Sequence, residues 1–163
     1  MATRIISQRV TTAFTQTDDT ARQAVGTLVE LSDGGTAIYV KSSTSAVSTF
    51  AAVVINEDYT VDMVTTTNAG TVSKSIGFAQ TSIATGYYGW VQLTGRPKVN
   101  LATNCDDRVA LYTTATAGVL DDATISGAGG MVAGVVGATT ISTATAVTCI
   151  VTRGPFIFAI GSA

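Results

Sequence analysis

The sequence predicts an all-β protein, an antiparallel β-barrel or sandwich of about ten short strands preceded by an extended N-terminal arm. Three observations carry that expectation. Charged residues make up 12% of the 163 residues, about half the usual ~25%, while apolar content is an ordinary 46%. Hydroxyls replace the missing charge, with 29 Thr and 12 Ser. Threonine packs its branched Cβ well on a pleated surface, whereas long surface helices draw on the Glu, Lys and Arg that are scarce here. Finally, short apolar runs recur at spacings of roughly 8 to 12 residues, separated by turn-forming residues.

Residues 1–24 differ from the rest of the chain. They contain no glycine, and Arg4, Arg9 and Arg22 stand among the apolar Ile5, Ile6, Val10 and Phe14. The spacing of Ile6, Val10 and Phe14 fits a helix face, and the same three residues also share one side of an extended strand. Threonine density favours the extended arm.

From Ala24 the strand pattern is regular, and the β-domain is expected over residues 25–163. "AVGTLVEL" and "TAIYVK" flank the turn residues "SDGG", a hairpin in which Ile38 and Val40 face one way and Tyr39 and Lys41 the other. "AAVVIN" meets "YTVDMV" across Asn56, Glu57 and Asp58, whose side chains can bond nearby amides. "SIGFAQ", "GWVQLT", "PKVNL", "RVALYTT", "GVL", "MVAGVVG", "AVTCIVT" and "PFIFAI" continue the series.

An internal echo divides this region. "IGFAQTSIATGYYGWVQLTGRPKV" and "AGVVGATTISTATAVTCIVTRGPFI" each run from a glycine-bearing strand through a Ser/Thr/Ala loop to a longer strand ending in Arg, Gly and Pro. Two related β-units within one domain, 25–101 and 102–163, are expected. The charge-free stretch 123–152 reads as two strands and a loop, because its apolar runs are far shorter than the ~20 residues a bilayer requires.

Composition excludes several function classes. A net charge of −2 offers no field to attract phosphate backbones, so nucleic acid is not an expected partner, and neither is a membrane. "MATRIISQRVTT" lacks the apolar core of a signal peptide. The absence of histidine removes Ser-His-Asp and Cys-His catalysis and the commonest metal ligand.

Four acidic pairs, Asp18–Asp19, Glu57–Asp58, Asp106–Asp107 and Asp121–Asp122, sit where solvated turns are expected. Asp106 with Asp122 could meet as a calcium site or glycosidase dyad, but no calcium-loop spacing supports that, and no phosphate-binding glycine motif occurs. No catalytic residue, metal or cofactor is expected. Cys105 and Cys149 read as small buried hydrophobes rather than a bridge.

"GYYGWVQLTG" holds the lone tryptophan. Val91 and Leu93 face one layer, and Trp90, Gln92 and Thr94 the other. A glycan platform of Tyr87, Tyr88 and Trp90 is one reading. A single tryptophan in a β-protein serves more often as a core or interface anchor, the role expected of Tyr88 and Trp90.

The order of "GTLVELSDGGTAIYVKSS", "VVINEDYTVDMVTT", "IGFAQTSIATGYYGWVQLTG" and "CDDRVALYTTATAGVLDD" followed by "VAGVVG" resembles head-decoration, or capsid-cement, proteins of tailed bacteriophages. The resemblance spans residues 26 to about 152 and rests on segment order, not on a catalytic signature. It implies a β-rich homotrimer, made in the host cytoplasm, that sits on the outer surface of the capsid and clamps neighbouring major capsid subunits. Residues 1–24 have no counterpart in it. We expect Ile5, Ile6, Arg9 and Phe14 of that arm to contact the capsid or a neighbouring subunit, by adding a strand to an exposed edge. The competing expectation is a glycan-binding or fibre-like surface module.

Overall fold

The computed structural model describes residues 12–69, 74–123 and 129–159, and among these it forms eleven strands and one helical turn. β1 (Leu28–Glu30) and β2 (Thr36–Ser42) make the first hairpin, with Leu28 opposite Ile38. Its turn closes because Asp33 Oδ1 accepts the Gly35 N–H at 2.9 Å while Gly34 takes φ 78°, a conformation open to glycine. β3 (Ala52–Ile55) and β4 (Thr60–Met63) make the second hairpin. There Asp58 Oδ1 accepts both the hydroxyl and the amide of Thr60, at 2.7 and 3.1 Å, and these bonds hold its carboxyl below the usual range. The sequence reading did not anticipate the helical turn α1 (Thr66–Ala69), where Asn68 Oδ1 caps the Thr65 amide at 2.8 Å.

β5 (Ser75–Ala79) and β6 (Tyr88–Gln92) complete a closed ring in the order β2-β4-β3-β5-β6 and back to β2. Alternation fills it: Ile38, Val40, Val53, Val61, Ala79 and Val91 point inward. Tyr39 and Trp90, one residue out of phase with that set, lie on the outer face.

β7 (Lys98–Leu101), β8 (Leu111–Thr113), β9 (Leu120–Asp121), β10 (Gly130–Gly137) and β11 (Thr145–Ala159) close a second ring, β7-β9-β8-β10-β11 and back to β7. The two rings share one connectivity. In each, the first strand runs parallel to the third and every other pairing is antiparallel. The two segments of the sequence echo are the last two strands of each ring, β5–β6 and β10–β11. The second ring begins at Lys98, a few residues before the expected unit boundary.

The outward residues Ala52, Val54, Ile76 and Phe78 of the first ring join the cluster of Val99, Leu111, Leu120, Val132 and Ile157 that fills the second. Main-chain bonds tie the rings as well: Gly95 and Val151 exchange bonds of 3.1 and 3.0 Å, and Phe156 pairs with Ser75.

One expectation is corrected by β11. The sequence breaks this region at Arg153-Gly154-Pro155, yet a single strand runs through it. Its ladder with β10 is interrupted between the pairs Val135↔Val151 and Ala133↔Phe156, at a bulge where Gly134 has φ 82°. Pro155 falls within that interruption, where its missing N–H removes no ladder bond.

Candidate functional site

The aromatic segment is built into the outer face of the first ring. Tyr39 on β2 lies opposite Trp90 on β6, with ring centroids 5.0 Å apart, and Tyr88 stacks beside Tyr39 at 6.2 Å. Left bare, this largely apolar face would expose Ala37, Tyr39 and Trp90 to water. Instead, residues 12–31 cross it as a strap.

Phe14, Val29 and Leu31 pack against Ala37, Tyr39 and Trp90. The Trp90 indole N–H donates to Thr12 Oγ1 at 3.0 Å, Gln23 Nε2 donates to the same oxygen at 2.9 Å, and the Arg22 amide donates to Tyr39 Oη at 3.3 Å. Burial pushes the Tyr39 phenol above its ordinary value, and the bond from Arg22 opposes that in part.

Residues 12–27 of the strap are irregular, apart from one antiparallel bridge in which Asp18 and Tyr88 exchange main-chain bonds of 3.0 and 2.8 Å, and the strap then runs into β1. Asp18 overturns the expectation of a solvated acidic turn, because it is only 8% exposed. Its Oδ1 accepts from Gln16 Nε2 at 2.9 Å and lies 3.4 Å from Arg22 Nε, while Oδ2 has no hydrogen-bond partner.

Trp90 is fully buried, so no ligand can stack on it; Tyr88 is half-buried and Tyr87 is 39% exposed. Phe14, expected at a capsid or subunit contact, is 4% exposed and packs within its own chain. The sequence left the outer face of β2–β6 apolar, and Phe14 covers it. Ile5, Ile6 and Arg9 lie outside the described residues.

Asp122 Oδ2 accepts the main-chain N–H of Asp106 at 2.8 Å, a loop-closing bond, and Asp107 Oδ1 accepts the Thr140 hydroxyl at 2.9 Å. Cys105, Asp121 and Asp122 place one ligand atom each within 4.8 Å of one another, a grouping the sequence reading missed because the two segments meet only where β9 pairs in parallel with β7. Burial, helped by the Asp122 charge, pushes the Cys105 thiol up to about 11, and burial pushes Cys149 up to about 12. Both thiols are free and buried, and their protons stay on.

Comparison with protein-family models, curated proteins and solved structures found no match.

One concavity lies at the first ring. The mouth of the first ring, at the end where β2 begins and β6 ends, opens into a groove of about 950 Å³ lined by Ile38, Ile55, Tyr59, Ile76, Leu93 and Pro155, with Glu57, Asp58 and Lys74 among its polar groups. Sequence alternation set Ile38 apart from Tyr39 and Leu93 apart from Trp90, but it could not say that Ile38 and Leu93 would line a groove together.

Proposed function

We propose that this chain is a structural protein of a tailed-phage virion, a homotrimer that lies on the outer surface of the capsid and clamps neighbouring major capsid subunits. The resemblance of its segment order to head-decoration proteins motivates the reading. The observation that carries it is the use of the aromatic segment: Trp90, Tyr39 and Phe14 are committed to fastening the N-terminal strap to the first ring. An aromatic platform for a glycan would need Trp90 exposed.

The surface chemistry agrees. Among the described residues the ion pairs are Arg22 with Asp18 and Arg108 with Asp107, and the rest of the polar surface is largely Thr and Ser. Such a surface can be covered over a wide area without desolvating many charges, and repetition over a lattice raises avidity without any single strong contact.

The test is co-sedimentation of the purified protein with heads stripped of it. Saturable binding is expected, together with a shift of head disassembly to higher temperature, and removal of residues 1–11, which leaves Thr12 and Phe14 in place, is expected to lower occupancy. Undiminished occupancy by the truncated protein would show that the arm is not the contact, and no binding by the whole chain would sink the reading.

A further inference from the structure

We infer that the outward face of β8 and β10 on one molecule docks into the mouth of the first ring on a second copy of this chain, repeating between molecules the contact that the two rings make within one. The inference rests on the reading of a homotrimer and deepens it by naming the two faces that meet.

The contact inside the molecule joins a mouth to a face. At the end where β8 finishes and β9 begins, the second ring abuts the first. There the Thr66 amide donates to the Thr114 carbonyl at 3.0 Å, the Gly118 amide to that of Val64 at 2.8 Å, and the Ala52 amide to that of Gly118 at 3.0 Å. β7 starts at this end and β11 runs out past it, where the Asn100 amide donates to Phe50 and Val151 exchanges bonds with Gly95. The fit is close: a Cβ on Gly118 would lie 2.6 Å from that of Ala51. What closes the end is the outward face of β3 and β5, whose Ala52, Val54, Ile76 and Phe78 are buried with Val99, Leu111 and Leu120.

The shared connectivity of the rings carries this relation to the rest of the molecule. β3 and β5 hold in the first ring the places that β8 and β10 hold in the second. The corresponding end of the first ring, where β3 finishes and β2 and β4 begin, is the groove of about 950 Å³, with Tyr59 of the β3–β4 turn at its rim. It is open where its counterpart is filled. The counterpart of the closing face is uncovered too: on β8 and β10 the outward residues Tyr112, Met131, Ala133 and Val136 are all partly exposed. Tyr112 pairs with Met131 as Val54 pairs with Ile76.

A single molecule cannot bring these two surfaces together, because the bonds at Gly118, Asn100 and Val151 hold the second ring against the outside of the first. A second copy supplies the partner that each surface lacks, and docking removes Tyr112 and Met131 from water together with Ile38, Ile55 and Leu93. The joined surfaces are unlike, so the contact is heterologous and closes into a cycle of three when successive copies turn by a third of a circle.

The test uses the full chain without heads. Met131→Glu spoils the face and leaves the mouth intact, and Tyr59→Asp does the reverse, aspartate tolerating the φ of 60° at that position. Each variant alone is expected to self-associate about tenfold more weakly in analytical ultracentrifugation, with native Trp90 emission. Mixed in equal amounts, they should form a dimer that grows no further, since one sound face and one sound mouth remain. A photoreactive benzophenone amino acid in place of Tyr112, with isotopically heavy and light proteins mixed, should crosslink one copy to residues 55–59 of another. Variants that associate like the native protein, a mixture that restores nothing, or crosslinks to other surfaces would overturn the inference. Should a variant fail to fold, the crosslink decides alone. A trimer held by other surfaces would leave the homotrimer reading standing, whereas a native protein that stays monomeric would overturn the inference and the trimer together.

Discussion

The indole N–H of Trp90 donates to the hydroxyl of Thr12 at 3.0 Å, joining positions 78 apart in sequence at a site from which water is excluded. Thr12 Oγ1 also takes the Gln23 side-chain amide, so one hydroxyl ties the start of the strap to both β6 and the strap's return. Thr12→Val leaves two donors without an acceptor, one of them wholly buried, and is expected to cost about 1–3 kcal/mol in chemical denaturation. In a Trp90→Phe background the same substitution should cost less. Equal effects in both backgrounds would show that the bond contributes nothing.

Trp90 emission is expected to be blue-shifted, poorly quenched by acrylamide and unchanged by oligosaccharides, because the ring is fully buried beside Tyr39. A ligand-dependent shift would revive the glycan-platform reading.

Two adjacent glycines should respond differently to alanine. At Gly34, φ is 78° and a Cβ would meet nothing, so Gly34→Ala should cost only the backbone preference of about 1–2 kcal/mol. At Gly35 a Cβ would stand 2.2 Å from a main-chain oxygen that cannot swing away. Gly35→Ala should cost on the order of 3 kcal/mol or more and open the rim between the first hairpin and residues 94–96. Melting temperatures of the two variants compare them directly.

The buried thiols set a pH dependence. With Cys105 near about 11 and Cys149 near about 12, both above the ordinary 9.0, the folded state holds these protons more tightly than the unfolded chain. That contribution is whole below pH 9 and is lost as pH rises toward 11 to 12. The melting temperature should therefore fall more steeply above pH 9 in the native protein than in Cys105→Ala or Cys149→Ala. At pH 8, thiol reagents should react on the order of 10³-fold more slowly than with the unfolded chain, since access requires opening of the second ring.

Much of the fold was legible because alternation is a local signal. Ile38 and Val40 against Tyr39, and Val91 and Leu93 against Trp90, could be assigned to opposite faces before any strand was paired. Closure was not legible. Whether β2 meets β4 in parallel depends on contacts between residues such as Lys41 and Thr60, to which neither segment's composition points. The repeated unit was visible where the two rings kept similar loops and an Arg-Gly-Pro ending, and hidden in β2–β4 and β7–β9, where strand lengths diverged.

The strap shows the limit most plainly. Its apolar residue Phe14 reads as a contact group, and only the covered face of Tyr39 and Trp90 reveals that the contact lies within the chain. Asp18 reads as a turn acid for the same reason, since its burial is set by Tyr88, Gln16 and Arg22 rather than by its neighbour Asp19.

Among the described residues every strand but β1 has a neighbour on both sides, so closing the two rings confines the unpaired edge to the three residues Leu28–Glu30. A sheet of eleven strands thereby leaves almost no template for edge-to-edge growth.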